Sequence, residues 1–230
     1  VFAFRETTAL DPAPADGRRV EVAFTDAALD LQEGPELAAT LAGLAADLGL
    51  TGLARLHQVH GADVATVDDG AAPVPEADAA VTTAPGLALV VRVADCVPVV
   101  LADPGAGVVG VAHAGRRGVE LDVVTRTVER MRALGATEVR AWIGPHVCGR
   151  CYEVPAAMRD EVAARVPATY AETSWGTPAL DLGAGVAAQL DAAGVPAAVV
   201  AGCTLEDERF HSYRRDGAAA GRLGGLVWLS

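Results

Sequence analysis

Three side chains in this sequence carry chemistry that their apolar neighbours cannot: His60 in "RLHQVHGADV", Cys96 in "VADCVPVVLAD" and His113 in "GVAHAGRRG". Two imidazoles and a thiolate suit Zn²⁺, with a fourth position left for water or substrate; copper is the less favoured ion. The gaps of 36 and 17 residues are not those of a local finger motif. Each residue therefore also has a plainer reading. His60 and His113 could be satisfied core or surface histidines, and Cys96 could be a small buried hydrophobe. A reactive thiolate would need a cation, a histidine or a metal beside it. Asp95 precedes Cys96 at the mouth of an apolar run, where a carboxylate without a partner is costly. Asp95 and Cys96 are accordingly the catalytic candidates. The aspartate would orient a ligand or relay a proton, and the cysteine would ligate a metal or attack a substrate.

Other residues compete for attention. His57 lies three positions before His60. On a strand that spacing sends the two rings to opposite faces, so at most one would enter a site. Arg116 follows Gly115 where a helix should begin, an arrangement that suits an anion. Arg214 and Arg215, in "CTLEDERFHSYRRDG", could grip phosphate through their guanidinium forks. The segment "CGRC", Cys148 to Cys151, invites a redox reading, but that motif should open a helix after the first strand of a βαβ unit. With no second CxxC to complete a four-thiolate site, it reads as a loop with two free thiols.

Strands and helices must position these groups. Alternation predicts a strand over Val20 to Phe24, and leucines at helical spacing predict a helix over Gly34 to Leu50. Short strands are expected at Leu56 to His60 and Val64 to Val67. Three more should follow at Leu87 to Arg92, Val97 to Ala102 and Val108 to His113. A long helix is expected over Arg117 to Leu134, then a strand over Val139 to Ile143. Helices at Pro155 to Val166 and Leu182 to Ala193, and strands at Ala197 to Ala201 and Leu226 to Leu229, complete the reading. Strands come in runs, which favours α+β over a doubly wound parallel sheet. Ala71 to Pro75 is too short a linker to divide the 230 residues, so one domain is expected.

The chain is 51% hydrophobic with a formal charge of -12. That balance argues against nonspecific binding to nucleic acid or to an anionic membrane. No run approaches the length of a membrane helix, and "VFAFRETTAL" lacks the pattern of a secretory signal. Four cysteines are too few for a disulfide framework, so free thiols and a cytoplasmic location are expected.

Read in order, "QVHGADV", "ADCVPVVLAD", "GVAHAGRRG", "IGPHVCGRCYEV" and "CTLEDERFHSYRRDG…GRLGGLVWL" resemble the successive signatures of the laccase-domain family. Its members were first labelled multicopper polyphenol oxidases and are now regarded as purine nucleoside phosphorylases. The resemblance runs from about Val20 to the C-terminus and implies a single-domain α-β-β-α layered sandwich. It implies Zn²⁺ on His60, Cys96 and His113. It also implies phosphorolysis of adenosine, inosine and S-methyl-5'-thioadenosine, with deamination of adenosine. Purine nucleoside and phosphate would then be the partners, and no protein partner is indicated.

The chain departs from the family pattern in places. Arg116 replaces the tryptophan of "HAGWRG", and the "SLNLG" segment is reduced to "ALDLQEG". The Asn-Arg pair of the first helix is absent, where "AATLAG" stands. Arg150 takes the place of the first of two adjacent cysteines in "GPxIGPCCYEV". These changes touch the expected phosphate and base contacts more than the metal ligands. Three other readings compete with the phosphorylase: a cysteine-dependent amide hydrolase, a copper polyphenol oxidase, and a non-catalytic protein that kept the fold. Five histidines are too few for a multicopper arrangement.

Overall fold

A computed structural model describes residues 1–9 and 19–230. The chain opens with β1 (Phe2–Ala9), β2 (Arg19–Thr25), α1 (Leu37–Asp47), β3 (Gly52–Arg55), β4 (Val64–Thr66) and β5 (Ala79–Thr82). Its centre holds β6 (Leu87–Val93), β7 (Val97–Asp103), β8 (Val108–Ala114), α2 (Arg116–Glu120), α3 (Val123–Ala133) and β9 (Arg140–Ile143). Next come α4 (Ala156–Arg165), β10 (Tyr170–Glu172), β11 (Pro178–Leu180), α5 (Leu182–Ala192) and β12 (Ala197–Val199). The short helix α6 (Tyr213–Asp216) and β13 (Leu223–Leu229) end the chain.

Two mixed sheets face each other. One has the order β1-β2-β13-β6-β3 and the other β12-β9-β7-β8-β5-β4. The alternation of side chains along each strand explains the layers. On β6, Leu89 and Val91 point between the sheets, whereas Ala88 and Val90 meet Leu37, Leu41 and Leu44 of α1. On β7, Val100 and Ala102 join the inter-sheet core, whereas Val97, Val99 and Leu101 pack under the helices on the other side. Strands buried on both faces read as continuous apolar runs, and that is what "VPVVLAD" is. The result is the expected α+β fold with an α-β-β-α order of layers. No helix among the described residues is long and apolar enough to cross a membrane.

Several expected elements differ from the observed ones. Residues 56–60 are not a strand; β3 ends at Arg55. The carboxylate of Asp78 accepts the N–H groups of Val59, His60 and Gly61, which bends this segment away from a ladder. His60 consequently has φ 58°, in the left-handed region. The long helix expected from Arg117 to Leu134 is two helices. Asp122, at φ 59°, breaks it and caps α3 by accepting from the Thr125 N–H. Strands β1, β5, β10 and β11 were not expected from the sequence. Their hydrophobic alternation is too short or too mixed with Thr, Glu and Ala to stand out.

Candidate metal centre and cleft

His60 and Cys96 both belong to segments that cross between the sheets. His60 follows β3 of one sheet and precedes β4 of the other, and Cys96 lies between β6 and β7. His113 comes from the end of β8. Their ligand atoms all lie within 4.8 Å of one another. Cys96 Sγ is 4.0 Å from His60 Nε2, and the two imidazole rings meet edge to face at 4.8 Å. Gly115 makes this approach feasible: a Cβ there would come within 2.8 Å of His60 Cδ2 and 3.1 Å of Cys96 Sγ.

Asp78, which the sequence reading did not single out, organises the group. It is fully buried and accepts from His113 Nδ1 at 2.7 Å as well as from three backbone N–H groups. Fixing Nδ1 as the donor leaves the His113 Nε2 lone pair for a ligand. Burial would raise the Asp78 carboxyl, but His113 and the Gly61 and Val59 amides override it and hold it below the usual aspartate value. Burial would also raise the Cys96 thiol, yet the His113 and His60 imidazoles bring it down to about 6. In turn the Cys96 thiolate and Asp78 overcome burial at His113 and raise it to about 9. Without a metal these opposed shifts favour a thiolate beside an imidazolium.

The donor set fits a divalent cation. Ligand atoms around a four-coordinate zinc are about 3–4 Å apart, given bonds of about 2.0–2.3 Å. The atoms here need only small side-chain rotations to reach that spacing. The same His₂Cys set also serves blue-copper sites, so the ligands alone admit either ion.

This group lies in a cleft of about 850 Å³, within the size range of small-molecule sites. Of the arginines nominated from sequence, only Arg214 lines it. The Arg214 guanidinium stacks on Tyr152 at 4.3 Å, and no carboxylate partner pairs with it among the described residues. Arg116 is instead paired with Glu120 at 3.1 Å and is not among the residues lining the cleft. Arg215 pairs with Asp216 and donates to the Thr204 and Phe210 carbonyls. It is therefore a brace for the loop rather than a free cation.

The cleft gains two arginines that were not nominated from sequence, Arg92 and Arg222. Arg92 is held by Glu33 at 2.9 Å, and its buried Nε has no hydrogen-bond partner among the described residues. Tyr152, Tyr213 and His57 also line the cleft, although His57 lies outside the close His-Cys-His group. Gln58 fastens the His60 turn to β6, donating to the Arg92 carbonyl and accepting from its N–H, both at 2.8 Å.

Asp95 lines the cleft, and the carboxylate bonded to the His113 ring is that of Asp78. Asp95 has φ 86°, and its carboxylate accepts from Thr204 Oγ1 and the Arg214 N–H, each at 2.7 Å. It ties the C-terminal loop to the cleft.

The signature of the multi-copper polyphenol oxidoreductase laccase family matches residues 25–230. The chain belongs to that family. A Streptomyces griseus protein named a purine nucleoside phosphorylase is 58% identical over 180 residues, covering 76% of this chain and 73% of that one. A Mycobacterium tuberculosis protein of the same name is 46% identical over 199 residues, covering 84% and 79%. Among solved structures, a Neisseria meningitidis protein superposes with a TM-score of 0.81 at 28% identity, covering 98% of this chain and 99% of that one. YlmD from Geobacillus stearothermophilus gives 0.78 at 30% identity, covering 91% of each. These solved structures thus share this chain's fold, and the two sequence relatives carry phosphorylase names.

Proposed function

We propose that this chain is a zinc-dependent purine nucleoside phosphorylase acting on adenosine, inosine and S-methyl-5'-thioadenosine, and that the same site deaminates adenosine. One observation carries the reading: a His₂Cys donor group lies in a cleft lined by Arg92, Arg214 and Arg222 against only Glu33 and Asp95, on a chain of net charge -12. That local excess of cations on an acidic protein favours an anion there. The names of the relatives support phosphate as that anion and a nucleoside as its co-substrate.

In phosphorolysis a phosphate oxygen bonds to C1' of the ribose. The bond from C1' to the base nitrogen breaks, and its electron pair leaves with the base, which takes up a proton. Arg214, stacked on Tyr152 and without a carboxylate partner among the described residues, would hold the phosphate. The phenol rings of Tyr152 and Tyr213 offer flat surfaces to a purine or ribose. Asp95 would keep Arg214 in place through its backbone N–H. His60, Cys96 and His113 would hold zinc, which when bound supplies Lewis-acid polarisation.

The test is to incubate zinc-loaded protein with adenosine or inosine, with and without phosphate. Free base formed only with phosphate supports phosphorolysis, and inosine formed from adenosine supports deamination. No turnover of either nucleoside under both conditions overturns the proposal. A second reading, a cysteine-dependent amide hydrolase, rests on the thiolate-imidazolium pair of Cys96 and His113. Metal-free protein whose Cys96 alkylates rapidly and which hydrolyses amides would favour it, and stoichiometric zinc on an unreactive Cys96 would exclude it. Copper-dependent turnover of phenols would instead restore the older oxidase assignment.

A further inference from the structure

The motif "CGRC" is not the isolated pair it resembles in sequence. The fold brings Cys203 and Glu206 against Cys148 and Cys151, and the four ligand atoms all lie within 4.8 Å of one another. The pattern is Cys148-x-x-Cys151 followed by Cys203-x-x-Glu206. That is the spacing of a zinc ribbon, two short chelating turns from distant parts of the chain, with glutamate as the fourth donor.

The local backbone is shaped for it. Cys151 and Tyr152 both donate their N–H to the Cys148 carbonyl, which curls the first turn. The Asp207 N–H closes the second turn on the Cys203 carbonyl. The Cys148 N–H donates to Cys203 Sγ at 3.4 Å, so a backbone amide already points at a sulfur of the other turn. Cys151 is buried, Cys148 and Cys203 are half-buried, and Glu206 is exposed.

We propose that Cys148, Cys151, Cys203 and Glu206 form a second, structural zinc site, separate from the His60-Cys96-His113 group. Three thiols and a carboxylate make a closed four-coordinate set with no position left for substrate, which is the mark of a structural rather than a catalytic ion. Its role follows from what its two turns touch. Val147, next to Cys148, donates its N–H to the Asp95 carbonyl, and Thr204, next to Cys203, donates its hydroxyl to the Asp95 carboxylate. An ion that joins the turns would clamp both contacts and so hold the segment that carries Asp95 and Cys96.

The chain has four cysteines, so Cys96→Ser leaves thiols only in this cluster. Wild-type and Cys96→Ser proteins, kept reduced, are to be analysed for zinc and then reloaded with cobalt(II). The expected result is that Cys96→Ser retains one equivalent of zinc and that its cobalt form shows thiolate-to-metal charge-transfer absorption. Adding Cys203→Ser to that variant should abolish both the equivalent and the absorption. Should the double variant fail to fold, Cys96→Ser alone decides. Metal-free Cys96→Ser without the charge-transfer band would overturn the proposal, as would a disulfide among the three thiols in freshly purified protein. One equivalent in wild type that persists in Cys96→Ser would support this second site while counting against zinc at the first.

Discussion

Asp78→Asn is the most incisive perturbation of the candidate metal centre. The carboxylate receives four hydrogen bonds: Oδ1 takes the His60 N–H and His113 Nδ1–H, and Oδ2 takes the Val59 and Gly61 N–H groups. An asparagine can place its oxygen on only one of those two sides. With the oxygen toward Val59 and Gly61, its NH₂ faces two donors. His113 must then turn its proton to Nε2 to accept from the new amide, and the His60 N–H is left unpaired. The unpaired amide costs about 1–3 kcal/mol and the lost charge-assisted bond about 1.5–3 kcal/mol. Burying a neutral group instead of a charge offsets part of this, so the net loss is about 2–4 kcal/mol. For a chain of this size the melting temperature should fall by roughly 4–16 °C. Metal affinity should fall by about 10–100-fold, because the proton now occupies the nitrogen that would bind the ion. Thermal melts of metal-free protein and chelator competition of loaded protein measure the two effects separately. A variant that melts within about 1 °C of wild type and competes equally for zinc would refute the assignment of Asp78 as the organiser.

Further outcomes follow from the geometry. Gly115→Ala should keep the fold, since its backbone (φ -74°, ψ 174°) accepts any residue. It should nevertheless weaken metal binding, read by the same competition, because the new Cβ presses on His60 and Cys96. Arg214→Ala should raise the KM for phosphate about 10-fold or more while changing stability by no more than about 1 kcal/mol, the scale of a cation-π contact. Arg215→Ala should do the reverse, lowering the melting temperature with little direct effect on phosphate, because it braces the Thr204 and Phe210 carbonyls. Asp103 accepts N–H groups from Ala106, Thr137 and Glu138, which outweigh burial and hold its carboxyl below the ordinary 3.8. Its ionised form therefore stabilises the fold fully above that ordinary value, and the contribution is lost as pH falls through the depressed one. The stability gap between wild type and Asp103→Asn, from urea unfolding, should be constant near neutrality and close only in acid.

The central strands were legible because burial on both faces leaves a long apolar run that few other structures tolerate, as in "LALVVRV" and "VPVVLAD". His60, Cys96 and His113 were legible as donor types, and the structure places them together. Asp78 was not. Its signal, an acid just ahead of the small-residue strand "AAVT", matters only once three amides and an imidazole converge on it. Arg92 was likewise hidden as one charge within an apolar strand. The pairing of Arg116 was also hidden, because sequence does not show that Glu120, one helical turn on, takes up its guanidinium. Treating residues 56–60 as a strand put His57 and His60 on opposite faces, a geometry that the Asp78-bound turn abolishes.

Two of the crossings between the sheets run through the same small volume, since His60 lies on one connection and Cys96 on the other. The separation of those residues is thereby tied to the spacing of the sheets, and that spacing is set by the apolar layer between them, with Phe24, Leu89, Val111 and Trp142 among its members. Productive sites tolerate misplacement of only about 0.5 Å. A methylene gained or lost in that layer, in side chains that touch neither substrate nor ion, would accordingly act like a change of gauge on the ligand set. The hydrophobic filling of the sandwich is in this sense the outermost shell of its chemistry.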